Sequence, residues 1–137
     1  MLVSTKGRYA VRVMLDLAEN IDKGYIPMKE VAARQDLSLK YIEQIMPLLK
    51  KAGAVEGVHG KGGGYRLVKA PAEYRIGDIL RAVEGSIAPV ACLECGDVSC
   101  ERARNCKTLP MWEKFHEIAN EYFDGITLAD LLGDELV

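Results

Sequence analysis

No segment of the 137-residue chain approaches the roughly 20 consecutive apolar residues of a membrane-spanning helix. The N-terminal stretch MLVSTKGRYAVRVMLDLAEN also lacks an unbroken apolar run, because Lys6, Arg8, Arg12 and Asp16 interrupt it. That excludes a signal-peptide core and points to a cytoplasmic protein with no membrane partner. Disorder is excluded as well, since 49% hydrophobic and 28% charged residues describe an ordinary globular protein. A chain of this size buries a core without covalent staples, so its four cysteines are not needed for stability. Hydrophobic residues are scarce in one place: CLECGDVSCERARNC, from Cys92 to Cys106, offers only Leu93, Val98 and Ala103 between its cysteines. In a reducing compartment such clustered thiols indicate metal ligands or redox groups rather than a disulfide framework.

The net charge of -2 conceals an asymmetry. Residues 1–70 carry 12 Lys and Arg against 7 Asp and Glu, a balance of +5, and the remainder carries 6 against 13, a balance of -7. A basic first half permits nucleic-acid binding; two solvated surfaces of opposite sign are the plainer alternative.

Helical spacing organises the first half. Ala10, Val13, Met14, Leu17, Ala18 and Ile21 predict a core-packed helix over residues 4–20, with Ser4 or Thr5 as its cap. After Lys23-Gly24-Tyr25, Pro27 stands where a helix can begin, and MKEVAARQ places Met28, Val31 and Ala32 on one face. Asp36-Leu37-Ser38 breaks that pattern, and Ser38 caps LKYIEQIMPLLKKAG, whose buried stripe is Leu39, Ile42, Ile45, Met46 and Leu49. Gly53 ends this helix, and Pro47 inside it should bend its second half. Two helices joined by a tight turn match a helix-turn-helix, whose second helix enters the major groove. Its exposed residues would be Lys40 for a phosphate, Glu43 for a cytosine amino group, Gln44 for adenine, and Tyr41. A helical hairpin with a merely solvated polar face is the alternative.

VEGVHGKGGGYRLVKAP then supplies two strand-like runs, residues 55–59 and 65–68, around a glycine-rich tip. A hairpin directly after a recognition helix is a wing. The candidate DNA-binding set is therefore Ser38, Lys40, Tyr41, Glu43 and Gln44 with His59, Gly60 and Lys61 at the tip. A phosphate-binding P-loop is excluded, because Val55 and Gly62 stand where it needs Gly and Ser or Thr. The fold class expected is mainly α with a small β wing: a winged helix-turn-helix domain plus a long dimerisation helix.

KGRYAVRVMLDLA, VAARQDLSLKYIEQI, GKGGGYRLVKAP and IGDILRAVEG, in that order, resemble the Rrf-type winged-helix transcription regulators from about Leu2 to Trp112. The resemblance implies a homodimer on a roughly palindromic double-stranded DNA operator and, in several members, an iron-sulfur cluster on three cysteines. Those three match Cys92, Cys100 and Cys106, which leaves Cys95 as the candidate fourth ligand. IscR-type members complete coordination with a histidine where this chain has Leu109, and some NsrR-type members with an acidic residue where it has Arg8. The family usually has arginine at the first wing-tip position, here His59. The implied function is an IscR-type repressor that senses cluster status and controls cluster-biogenesis genes; a nitric oxide or redox sensor of NsrR type is the alternative.

Cys92, Cys95, Cys100 and Cys106, spaced C-x2-C-x4-C-x5-C, suit a [2Fe-2S] cluster, favoured here, or a [4Fe-4S] cluster, because soft thiolates satisfy tetrahedral iron. Zinc, normally held by two short C-x2-C turns, and a metal-free thiol switch remain open. Arg102 and Arg104 would stabilise an anionic cluster or serve only solubility. A thiol oxidoreductase using Cys92 and Cys95 lacks the strand-to-helix frame that such a pair requires, so no enzyme is expected. A metal-storage or scaffold role would predict no salt-dependent DNA affinity.

Thr108 and Pro110 open a last long helix with an apolar stripe of Met111, Trp112, Phe115, Ile118, Ala119, Tyr122 and Phe123, stopped by Gly125. A second copy or the chain's own first helix would cover that stripe. His116 is read as a surface or packing residue, and a short helix opens at Thr127 with Asp130 three residues on. Three regions follow: 1–85 winged helix, 86–108 cysteine-rich loop, 109–137 dimerisation and C-terminal helices.

Overall fold

The structure is a computed structural model describing residues 3–93 and 105–133. Its centre is α1, Thr5–Glu19, which packs against α2 (Met28–Gln35), α3 (Leu39–Lys51), α4 (Ile76–Glu84), α6 (Leu128–Leu132) and strand β2 (Gly64–Leu67). Ala10, Val13, Met14, Leu17 and Ala18 form its buried face. Removing a side chain such as Leu17 from water contributes about 1.5–3 kcal/mol. Ile21 departs from expectation: the chain tightens into a 3-10 turn, Ile21–Lys23, which leaves it exposed.

A helix so thoroughly covered must satisfy its polar groups internally, and α1 does so twice. Ser4 occupies the cap position, its carbonyl accepting from the Arg8 amide at 3.1 Å, but its side chain makes no cap bond within the helix. Its hydroxyl donates to Glu84 Oε1 at 2.6 Å, and the Ser4 and Gly7 amides donate to the same oxygen at 2.9 and 3.0 Å. A remote carboxylate thus caps α1, where the helix dipole favours negative charge. A Cβ on Gly7 would lie 2.4 Å from that oxygen, so the contact needs glycine. The second group is Asp16, only 1% exposed. Arg34 Nη2 and Nε donate to its two oxygens at 2.7 and 3.0 Å, and Gln35 Nε2 adds a bond of 3.0 Å. The Asp16 carboxylate raises the Arg34 pKa through this hydrogen bonding.

Arg34 and Gln35 are the last residues of α2 but one turn's reach from α3. Pro27 proves to be the cap of α2 rather than its first residue. Asp36 closes α2 in the left-handed conformation, φ 53 and ψ 50, and the Leu37 amide returns to the Ala32 carbonyl at 3.0 Å. Ser38 then caps α3, its hydroxyl accepting from the Tyr41 amide at 3.3 Å. Ile42, Ile45, Met46 and Leu49 are buried as expected, and Leu39 half-buried. Helix α3 continues through Pro47, which lies exposed and leaves the Glu43 carbonyl, on another exposed residue, without its helical partner. Beyond Lys51 the Ala54 amide returns to the Leu49 carbonyl at 2.9 Å, with Gly53 between them.

Strand β1, Val55–Val58, pairs antiparallel with β2 in the register Val55 to Leu67 and Val58 to Gly64. The first strand ends one residue early and the second sits one residue earlier than the sequence pattern placed it. Ile26 adds a bridge on the other side of β2, exchanging 2.9 and 3.0 Å bonds with Tyr65. In α4, Ile76, Ile79, Leu80 and Val83 complete the core.

Helix α5, Leu109–Asp124, follows, and the chain then returns to the first core: the Ile76 amide bonds the Ile126 carbonyl at 2.8 Å and the Leu128 amide the Tyr74 carbonyl at 3.1 Å. Thr127 and Asp130 cap α6 reciprocally, and Leu128 is fully buried. Arg81 bolts α4 to α5 through Asp124, at 2.9 and 3.0 Å, and Asn120, at 2.7 Å. Met111, Phe115, Ile118 and Tyr122 stay 55, 44, 53 and 56% exposed. The chain's own first helix therefore does not cover them. Among the described residues no helix is long and apolar enough to cross a membrane.

The Asp16 pair is asymmetric, because its carboxylate is buried and the Arg34 side chain is 38% exposed. Arg34→Met strands a carboxylate with Gln35 alone and is expected to lower unfolding free energy by about 3 kcal/mol. Asp16→Asn lets the guanidinium turn to water and should cost only about 1–2 kcal/mol. Urea titrations of both variants check the order; equal losses contradict it.

Candidate nucleic-acid interface and cysteine segment

Burial of one side of α3 dictates what its other side presents. Ser38, Lys40, Glu43 and Gln44 are exposed, and among the described residues no ion pair engages Lys40 or Glu43. The Ser38 hydroxyl is occupied as an acceptor by the cap but still has its proton to donate. Tyr41 is a correction to the expected exposed set. It is half-buried and meets Tyr9 of α1 edge-on, ring centroids 5.3 Å apart and planes at 75°. Arg12 stands 5.7 Å from the Tyr9 ring centroid and bonds the Gln35 carbonyl, so α1 buttresses the start of α3 with an aromatic pair and a cation. Sequence spacing could not pair Tyr9 with Tyr41, which are brought together only by the crossing of α1 and α3.

His59, Gly60 and Lys61 lie at the exposed tip of the β1–β2 hairpin. Gly60 and Gly62 have φ of 92 and 80, conformations that side chains avoid, and the Gly63 amide closes the tip on the Gly60 carbonyl at 3.0 Å. Among the described residues Lys61 forms no ion pair. Arg66 on β2 is otherwise: it bonds Glu56 opposite it, lies 4.3 Å over the Tyr25 ring, and has its pKa raised by the Glu56 hydrogen bond. Its charge is answered within the protein, whereas that of Lys61 is available to a ligand.

The wing is pinned at its base by Tyr74, 3% exposed. Its hydroxyl donates to the Ala54 carbonyl at 2.7 Å and accepts from the Val68 amide at 2.9 Å, joining both hairpin ends to the entry of α4. Burial pushes its pKa up. No signal in the sequence singled out this residue.

Two of the four cysteines lie among the described residues. Cys92 is half-buried in the 3-10 turn Ala91–Leu93, and Cys106 is half-buried with its Sγ 3.4 Å from Thr108 Oγ1. Cys95, Cys100, Arg102 and Arg104 lie outside the described residues. Among those described, no group of three or more His, Cys, Asp or Glu is placed to hold a metal. Leu93, next to Cys92, lines a cavity of about 190 Å³ with Arg81, Ile87, His116 and Asn120, so the cysteine segment begins at the α4–α5 junction. His116 behaves as a packing residue, half-buried, with its carbonyl bonded by Asn120 at 2.9 Å. Leu109, at the position of the IscR-type histidine, is buried, and the Arg8 guanidinium donates to Thr5 Oγ1 at 3.1 Å.

Residues 3–134 match the family described as "Rrf2: Iron-dependent Transcriptional regulator". The HTH-type transcriptional regulator IscR of Aliivibrio salmonicida is 38% identical over 137 residues, all of this chain and 80% of that protein. Among solved structures, T. potens IscR superposes with a TM-score of 0.75 at 38% identity, covering 99% of this chain and 89% of that one. CymR of B. subtilis, the global cysteine regulator of that organism, gives 0.76 at 36% identity, covering 96% and 95%.

Tyr74→Phe removes the hydroxyl bridge and should destabilise the protein by about 1–2 kcal/mol at neutral pH. Because the folded pKa is raised, the tyrosine's contribution is whole below about pH 10 and fades as pH rises through the folded value. Thermal melts from pH 8 to 11 should show wild type converging on the variant at the alkaline end; a constant gap refutes the bridge.

Proposed function

The chain belongs to the Rrf2 family of iron-dependent transcriptional regulators, is a winged-helix regulator of the IscR kind and not an enzyme, and from that premise we propose that it is a cytoplasmic, homodimeric repressor whose operator affinity is set by an iron-sulfur cluster. Residues Lys40, Glu43 and Gln44 of α3 read base edges and phosphate in the major groove, Ser38 adds a phosphate contact at the helix start, and Tyr41 orients the helix from behind. His59, Gly60 and Lys61 track the neighbouring backbone or minor groove. The observation that carries this reading is α3 itself: one face sealed by Ile42, Ile45, Met46 and Leu49, the other presenting exposed Lys40, Glu43 and Gln44 immediately before a glycine-tipped hairpin.

The exposed face of Met111, Phe115, Ile118 and Tyr122 supports the dimer, because residues spaced by four, three and four lie on one side of α5 and a contiguous apolar face seeks a partner. Two copies then offer two recognition helices to an operator with two half-sites.

The donor set fits a cluster. All four candidate ligands are soft thiols, and the two described ones are half-buried, shielded from bulk water without being sealed in the core. Cys92, Cys95, Cys100 and Cys106 would hold it, [2Fe-2S] in preference to [4Fe-4S], with Cys95 taking the place that Leu109 cannot fill. When bound, the cluster supplies a redox-active and oxygen-sensitive group whose four bonds order a segment too polar to bury itself. Leu93 passes that order to Arg81 and Asn120 at the α4–α5 junction, and so to the angle between each reading domain and the dimer helix.

Replacing all four cysteines with serine should change operator affinity about five- to 150-fold relative to cluster-loaded protein in an anaerobic gel-shift assay. Equal affinities, or wild-type protein that binds no iron and sulfide, sink the sensing reading. On the DNA side, Lys61→Ala should weaken all sequences alike and reduce the salt slope by about one. Gln44→Ala should cost about 1–3 kcal/mol at one operator position only. Identical profiles for the two variants would reject the division between positioning and reading.

A further inference from the structure

Thr108 stands at the start of α5 where a capping residue belongs, yet it does not cap. Its backbone is helical, φ -90 and ψ -16, rather than extended, and its side chain accepts no bond from the first turn. The hydroxyl lies instead 3.4 Å from Cys106 Sγ. A thiolate bound to iron has lone pairs and no proton, so in that state the hydroxyl is the donor. We propose that Thr108 is a positioning residue for the cluster ligand Cys106: it donates O–H to the sulfur, fixes the side chain's orientation and draws off negative charge. The inference rests on the cluster reading above. It also joins the last ligand sulfur directly to the first turn of the helix that carries the exposed apolar face.

The physical consequences are specific. A hydrogen bond to a ligand sulfur stabilises the more negatively charged, reduced cluster and raises its potential. Partners of metal ligands also slow ligand loss, and removing one typically costs at least about tenfold in affinity. Thr108 is exposed, and Val has its shape without the hydroxyl, so Thr108→Val leaves the packing of α5 alone.

The experiment compares wild type, Thr108→Val and Thr108→Ser, each full-length and reconstituted anaerobically with ferrous iron and sulfide. Iron and sulfide content, the midpoint potential by dye-mediated titration, and the rate of absorbance loss to a chelator are measured. The Val variant should lose its cluster about tenfold faster and titrate at a more negative potential, with Ser restoring both. A Val variant matching wild type in rate and potential overturns the role of Thr108 and leaves the cluster reading standing. A Ser variant as impaired as Val assigns the effect to the helix start instead of the hydroxyl and also overturns it. Wild-type protein that takes up neither iron nor sulfide overturns both.

Discussion

A helix covered by α2, α3, α4, α6 and β2 has nowhere to send an unpaired polar group, and α1 carries two: the amides of its first turn and the Asp16 carboxylate. Each is answered by a residue distant in sequence. Glu84, the last residue of α4, accepts from the Ser4 and Gly7 amides, and Arg34 with Gln35, the end of α2, close around Asp16. Around buried Asp16 such bonds are strong when complete and their loss is costly, whereas the Ser4–Glu84 bonds lie at the surface. They therefore specify where α2 and α4 sit against α1, beyond what apolar burial alone demands.

The reading surface inherits its placement from that arrangement. Gln35 is followed at once by Asp36, whose left-handed backbone makes the turn, and by Ser38, which caps α3. Holding Gln35 and Arg34 to α1 thus sets where α3 starts, while Tyr9 and Arg12 support it from below through Tyr41. The wing is located by other means, the Ile26–Tyr65 bridge at one edge and the Tyr74 hydroxyl at its base. Both elements are thus held by fixed supports, while Lys40, Gln44 and Lys61 stand exposed on them.

The second half of the chain works differently. Helix α5 is held to α4 by Arg81 through Asp124 and Asn120, and its exposed apolar face looks away from the core. The charge balance follows the same division, +5 over residues 1–70 and -7 over the remainder. In a family of DNA-binding regulators, a basic first half favours attraction for DNA over an acidic second half. Of the described cysteines, Cys92 lies next to Leu93, which lines the cavity beside Arg81, and Cys106 lies at the start of α5.

Periodicity and cap signals in the sequence determined α1, α2, α3, α5 and α6, the turn before Ser38, the glycine tip and the reciprocal Thr127–Asp130 cap, because each depends on residues within a few positions of one another. The same local patterns identified Lys40, Glu43, Gln44 and Lys61 as exposed polar groups. Only tertiary structure decided that Tyr41 turns inward to Tyr9, that Ile21 is exposed, that Asp16 is buried with Arg34, that Ile26 extends the sheet, and that Leu128 returns to complete the first core. The reason is physical: a helix face or a turn is written by near neighbours, whereas a buried charge, a shared ring contact or a remote cap needs partners 18 to 80 residues away, and no short-range pattern says which distant residue will arrive.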